Sequence, residues 1–166
     1  SQTIVENLRY GPGYKSISPQ TNLDFSREGG FPQAVEMCNG VGACRNTLSG
    51  TMCPSYMATG EEEHSTRGRA NALRAALSDL LPPEELTSHR MQQVLDLCLE
   101  CKACKSECPS QVDMAKLKYE LLDAYHRKFG YPLRARLFAR IATLNRLGCA
   151  LAPLSNWGAQ LPLTRW

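Results

Sequence analysis

The most closely spaced cysteines of this 166-residue chain are Cys98, Cys101, Cys104 and Cys108, and a proline follows the last of them. The spacing C-x₂-C-x₂-C-x₃-C-P is typical of a loop that binds an iron–sulfur cluster, because three thiolates at this interval can ligate three irons of one Fe₄S₄ cube. In two-cluster proteins the fourth cysteine of such a run ligates the other cluster. The run therefore predicts a second cysteine site elsewhere in the chain.

An incomplete copy of the pattern precedes it. Cys38 and Cys44 repeat the separation of the first and third cysteines of the run, and Cys53-Pro54 repeats its terminal Cys-Pro after a longer spacer. Val41 stands where the middle cysteine would be. We read two copies of one binding unit that exchange their fourth ligands. The first cluster, a 4Fe-4S cluster, is expected to take Cys98, Cys101, Cys104 and Cys53, and the second Cys38, Cys44 and Cys108.

The second set is one thiolate short of four, which leaves three interpretations open. The site holds a 3Fe-4S cluster, or a 4Fe-4S cluster with a ligand other than cysteine, or no cluster. Among non-cysteine ligands His64 is the candidate, although a single histidine more often caps or orients the next helix.

Other uses of the cysteines are less compatible with the spacing. A disulfide framework is disfavoured because the chain is long for a disulfide-held miniprotein and shows no signal peptide. Four thiolates also suit zinc, which would make the chain a zinc-stabilised interaction module, but zinc does not need the third cysteine of the run. Cys149 fits neither copy and is expected to be a small, buried hydrophobic residue.

Composition excludes several classes of function. The net charge of +3 is too small to suggest nucleic acid as a partner. The sequence contains no run of eighteen apolar residues, so no membrane span is predicted. Eight thiols without a secretory signal favour the cytoplasm. The chain contains neither a dinucleotide fingerprint nor a histidine–carboxylate constellation, so no catalytic residue is assigned.

Helices must position these cysteines, since alternating strand patterns are absent from the sequence. Ser65 is expected to cap a helix that ends before Pro82-Pro83, and Pro83 to begin one that reaches Cys98. Asp113 is expected to cap a third, which Gly130 ends, and a fourth runs from Leu133 to Gly148. The predicted fold is all-α, with the cysteine loops between helices.

Two arginines of the first predicted helix, Arg67 and Arg69, follow the Cys53-Pro54 turn closely. Either they compensate the negative charge of a cluster, or they pair with acidic residues among Glu61, Glu62 and Glu63. The sequence leaves both interpretations open.

Several motifs together resemble the iron–sulfur region of FAD-linked oxidases, the flavoproteins that oxidise D-2-hydroxy acids such as D-lactate, glycolate or D-2-hydroxyglutarate. They occur in the family's order over about residues 8 to 155. The motifs are CNGVGACR at 38–45, GTMCPSY at 50–56, EEEH at 61–64, STRGRA at 65–70 and the cysteine run at 98–108.

The resemblance implies an alpha-helical ferredoxin-like domain that passes electrons from a reduced flavin to a downstream acceptor. The chain itself would then be non-catalytic, with FAD in a neighbouring dehydrogenase domain of the same polypeptide or of another subunit; a separately encoded relay subunit is the alternative. The aliphatic Val41 resembles the corresponding position of the three-iron centre in the iron–sulfur subunit of succinate dehydrogenases.

Three segments follow from these expectations. Residues 1–30 open without methionine and are rich in Gly and Pro, as in a linker or strap from a preceding flavin domain. Residues 31–130 form the iron–sulfur domain. Residues 131–166 form a basic amphipathic helix and tail, which suit either a solvated face or peripheral contact with the inner face of a membrane.

Overall fold

The computed structural model describes residue 11, residues 13–152 and residues 156–157. Positions 1–10 and 12 of the predicted linker, and positions 153–155 and 158–166 of the predicted tail, lie outside the described residues. The chain divides into two compact units between Lys128 and Phe129. Each unit is described by itself below.

Helices and turns make up both units, and no strand occurs among the described residues, so the predicted all-α fold is confirmed. Short 3₁₀ helices occur at Ser26–Glu28, Ala43–Arg45, Glu62–His64 and Pro83–Thr87. The α-helices are α1 (Phe31–Glu36), α2 (Pro54–Thr59), α3 (Thr66–Leu77), α4 (His89–Asp96), α5 (Ala103–Glu107), α6 (Met114–Phe129), α7 (Leu133–Ala139) and α8 (Ile141–Ala150).

Helix α3 is central to the first unit. It packs against α1, α4 and the 3₁₀ turns on either side of it in the sequence. Ala70, Leu73 and Leu77 recur at helical spacing and are almost fully buried. The core continues through Val35 of α1 and Leu117 of α6, together with cysteines of both predicted sites. The cysteine loops are therefore attached to the hydrophobic core rather than hung from the surface.

The predicted ends of two helices are confirmed. Ser65 caps α3, since its side chain accepts a hydrogen bond from the amide of Gly68 at 2.9 Å. At the start of α6 the carboxylate of Asp113 accepts from the amide of Lys116 at 3.0 Å. After α6, Gly130 has a φ of 88°, the left-handed geometry that a glycine accommodates after a helix.

Two predicted helices are each broken in two. The helix expected from Pro83 to Cys98 stops at Thr87, because Ser88 is extended and its Oγ accepts from the amide of Met91 to start α4. The helix expected from Leu133 to Gly148 is interrupted at Arg140, whose amide turns back to the carbonyls of Leu137 and Phe138.

The prediction that Cys149 is buried is wrong: this thiol is exposed. It lies on α8, and neither α7 nor α8 contains a buried residue. An apolar helical stretch therefore does not imply burial in this unit. No helix of the described residues has the length and apolar character needed to cross a membrane.

Candidate iron–sulfur centres

The first cleft brings together cysteines from two distant segments. Cys53 lines it together with Cys98, Cys101 and Cys104, although forty-five residues separate Cys53 from Cys98 along the chain. The remaining wall is partly apolar, with Pro54, Leu99, Met114 and Ala115, and partly polar, with Ser55, Thr66, Arg69, Glu100 and Lys102. Four cysteine sulfurs that line one cleft are the donor set that an iron–sulfur cluster needs.

The second cleft also combines residues from both copies of the motif. Cys38 and Cys44 line it with Cys108, and Val41 forms part of the same wall. His64 is not among the lining residues of this cleft; its Nδ1 lies 2.8 Å from the hydroxyl of Thr59 instead. Both sets of cysteines assembled from the sequence thus share a cleft, and their role as ligands stays a prediction.

Helix α3 begins in the wall between the two clefts. Its first residue, Thr66, lines both of them. The amide of Thr66 donates to Cys53 Sγ at 3.0 Å, and its Oγ1 lies 2.8 Å from the same sulfur. The next amide, that of Arg67, donates to Cys44 Sγ at 3.4 Å. The first two orphan amides of one helix therefore go to sulfurs of different sites, which stabilises negative charge on both.

The sulfurs of Cys44 and Cys53 are themselves close enough to form a hydrogen bond. Because Cys44 accepts this bond, and the amide of Arg67 adds a second, the pKa of Cys44 is lowered. The same bond and burial raise the pKa of Cys53. The proton of this pair is therefore favoured on Cys53 rather than on Cys44.

The loops that present the cysteines adopt unfavourable backbone conformations. Cys53, Glu100 and Lys102 have φ values of 56°, 57° and 61°, in the left-handed region that residues other than glycine rarely adopt. Such a residue costs about 1 kcal/mol or more. Of the five such residues in the described part of the chain, these three lie at or between predicted ligands, where ligand binding can offset the cost.

Lys118 fixes the loop that begins at Cys98 to α6. Its side chain is 7% exposed and its Nζ donates to the carbonyl oxygens of Asp96 and Cys98 at 3.2 and 2.7 Å. The same ammonium pairs with Glu100 at 3.0 Å. Sequence reasoning missed this residue, because a lysine on a predicted amphipathic helix is ordinarily solvated.

Glu107 joins the two copies of the motif. Its carboxylate accepts hydrogen bonds from the amides of Thr51 and Met52 and from the Thr51 hydroxyl. These bonds, the hydroxyl first, lower the pKa of Glu107. A carboxylate one residue before Cys108 is thereby held against the segment that leads to Cys53. Its spacing in the sequence gave no signal of this role.

The two arginines differ in their partners. Arg67 donates to the carboxylate of Glu62 at 2.7 Å and lines the second cleft. Arg69 lines the first cleft and is not paired with any of the three glutamates; it donates to Val94 O and to Ser55 Oγ, both at 3.0 Å. Pairing with a glutamate therefore applies to Arg67 and not to Arg69.

The comparisons with known proteins agree with this geometry. Residues 34–112 match the 4Fe-4S dicluster domain, so the chain is an iron–sulfur protein with an electron-transfer role. The resemblance drawn from the motifs, to the iron–sulfur region of FAD-linked oxidases, is confirmed. No solved structure matches the chain.

Three relatives illustrate the similarity. The chain is 32% identical to the D-2-hydroxyglutarate dehydrogenase of Pseudomonas putida over 67% of its own length and 14% of the relative's. It is 25% identical to the enzyme of that name from Escherichia coli, over 89% of the chain and 19% of the relative. A probable glycolate oxidase iron-sulfur subunit of Bacillus subtilis is 34% identical, over 54% of the chain and 20% of the relative. The chain thus spans a fifth or less of the length of each.

Proposed function

We propose that this domain passes electrons from the reduced flavin of a D-2-hydroxy-acid dehydrogenase to a downstream acceptor. The observation that carries the proposal is the pairing of Cys53 with the downstream cysteine run in one cleft, and of Cys108 with the upstream pair in the other. The names of the relatives support a hydroxy acid as the electron source. FAD would be bound outside this chain.

The proposed ligands of the first site are Cys53, Cys98, Cys101 and Cys104, around a 4Fe-4S cluster. For the second site we propose Cys38, Cys44 and Cys108 around a 3Fe-4S cluster. Two observations favour three irons: Val41 lines the cleft with a side chain that offers no ligand atom, and His64 does not line it. When bound, such clusters supply one-electron transfer, which a flavin that has received two electrons from a hydroxy acid requires.

The protein's own contribution is to hold and tune the sites. The cleft walls keep Cys53 and Cys104 buried, and the amides at the start of α3 stabilise negative charge on Cys53 and Cys44. Lys118 holds the backbone at Cys98, and Glu107 holds the segment at Met52 that leads to Cys53. No described residue needs to act as an acid, base or nucleophile for this role.

Anaerobic purification with iron, sulfide and zinc assays tests the proposal. We expect a brown protein whose iron is matched by acid-labile sulfide, and whose broad visible absorbance is bleached on mixing with reduced flavin. Cys101→Ser is expected to lose iron from the first site, whereas Cys149→Ser, which alters a thiol outside both clefts, should retain it. A colourless protein with stoichiometric zinc would contradict the proposal.

A further inference from the structure

Arg69 is a buried cation at the first cleft. It is 1% exposed and is the largest fully buried side chain of the described residues. It projects from α3 and lines the cleft that contains Cys53, Cys98, Cys101 and Cys104. A guanidinium stays protonated in proteins, so its full positive charge is retained in the interior.

The hydrogen-bond partners of Arg69 are neutral. Its Nε donates to the backbone carbonyl of Val94 and its Nη2 to the hydroxyl of Ser55. Lys118, the other buried cation among the described residues, pairs with Glu100. Within the described residues Arg69 forms no ion pair with a carboxylate, although three glutamates lie between positions 61 and 63. An isolated buried charge is strongly unfavourable unless an opposite charge compensates it.

A cluster held by four thiolates supplies that opposite charge, because its net charge is negative. We infer that Arg69 is the counter-charge of the first cluster and raises its reduction potential. Reduction adds negative charge to the site, so a fixed positive charge in the wall favours the reduced form. This inference rests on the ligand set proposed above for the first site.

Arg69 also connects three helices, since Ser55 lies on α2, Val94 on α4 and Arg69 itself on α3. A purely structural tie would account for the hydrogen bonds but not for a change in potential. The two roles are therefore separated by measuring the potential in variants that remove the charge and in variants that keep it.

The experiment is a potentiometric titration of the purified protein, monitored by EPR, on the signal that Cys101→Ser abolishes. Arg69→Gln is expected to shift this midpoint potential downward, while Arg69→Lys, which keeps the charge, stays near the parent value. Arg90→Gln is the control, because Arg90 is an exposed cation that pairs with Glu63 and its loss should not shift the potential.

An unchanged potential in a loaded Arg69→Gln protein would overturn the inference, and so would equal shifts in Arg69→Gln and Arg69→Lys. If Arg69→Gln does not fold or load, Arg69→Lys decides: loading at a near-parent potential supports the inference, and an empty first site overturns it. A parent protein without any signal that depends on Cys101 would instead refute the proposed ligand set, and the inference with it.

Discussion

Cys53 is the residue on which the assignment of the first site depends, because it is the one proposed ligand of that site that lies outside the run at 98–108. Its sulfur accepts from the amide of Thr66, and it lines the cleft of the downstream cysteines. Cys108 in turn belongs to the other cleft. Sequence neighbours of the run are thus separated in space, while residues forty-five positions apart are brought together.

Replacing these two cysteines should therefore affect different clusters. We expect Cys53→Ser to disturb the 4Fe-4S signal of the reduced protein, and Cys108→Ser to leave that signal and alter the second site only. Low-temperature EPR of oxidised and reduced samples measures both. The opposite pattern, with Cys108→Ser removing the 4Fe-4S signal, would show that the fourth ligands are not exchanged.

Val41 offers a second test at the scale of a single residue. Val41 lies between Cys38 and Cys44 in the sequence and lines the second cleft. Its side chain is 60% exposed, so a cysteine has room at this position. Val41→Cys supplies the thiolate missing from the repeat. We expect it to increase the iron content by one atom per chain, to abolish the EPR signal of the oxidised three-iron centre and to lower the potential of the site.

Val41→Ala is the matched control, since it alters the same side chain without adding a ligand. It should leave both the iron content and the oxidised-state signal unchanged. If the parent protein has no oxidised-state signal and Val41→Cys gains no iron, the second cleft does not hold a three-iron cluster, and the total iron content then distinguishes a 4Fe-4S cluster with another ligand from an empty cleft.

At the scale of elements, the start of α3 depends on Gly68. A Cβ at this position would lie 2.0 Å from the carbonyl oxygen of Glu62, well inside any permitted contact. The close approach holds the 3₁₀ turn Glu62–His64 against α3, and so sets the direction of the amides that reach Cys53 and Cys44. Since the obstacle is backbone, it cannot move aside without displacing the turn.

Gly68→Ala is therefore expected to destabilise the protein by about 2 kcal/mol, through overpacking, and to reduce its iron content. Gly148→Ala is the control: it lies in α8, no atom lies within 4 Å of its added Cβ, and alanine favours a helix by about 1 kcal/mol over glycine. Denaturant unfolding and iron analysis of both variants provide the measurement. Equal unfolding midpoints for Gly68→Ala and the parent would contradict this account of the contact.

Which elements the sequence could predict depended on their length and caps. Helices α3 and α6 have apolar residues at helical spacing over several turns and a capping side chain, and their starts are as expected. Helices α1, α2 and α5 have only five or six residues, too few for periodicity to register. The break at Ser88 could have been predicted, because serine often caps a helix. At Arg140 no side chain caps either helix, so the sequence does not indicate that break.

At the scale of the whole molecule, the cysteine spacing predicted which residues share a cleft, but not the residues that hold the loops. Lys118 and Glu107 act through backbone carbonyls and amides, and such partners depend on tertiary contacts rather than on spacing. The choice between the two interpretations of Arg67 and Arg69 likewise needed the fold, because both arginines lie within reach of the acidic turn in the sequence.

Removing iron should destabilise the first unit as a whole. The proposed ligands are part of its hydrophobic core, and the metal would bind the folded state far better than the unfolded one. We expect chelation under reducing, anaerobic conditions to lower the thermal midpoint by at least 10 °C, on the order of a few kcal/mol for a domain of this size. Circular dichroism measures the change, with Cys149→Ser as the reference protein. A chelated sample that melts like the loaded one would contradict this.

The two proposed sites also close loops that are nested, since Cys53 and Cys98 lie between Cys44 and Cys108 in the sequence. Once Cys44 and Cys108 are held at one site, Cys53 and Cys98 are connected by a second, shorter path. This path runs nine residues from Cys53 back to Cys44 and ten residues from Cys108 back to Cys98, instead of forty-five residues along the chain. The entropy lost on closing the inner loop then falls by about 0.8 kcal/mol, from the logarithmic dependence on loop length. Filling either site therefore prepares the chain for the other, and the nesting favours fully loaded or empty molecules over half-loaded ones.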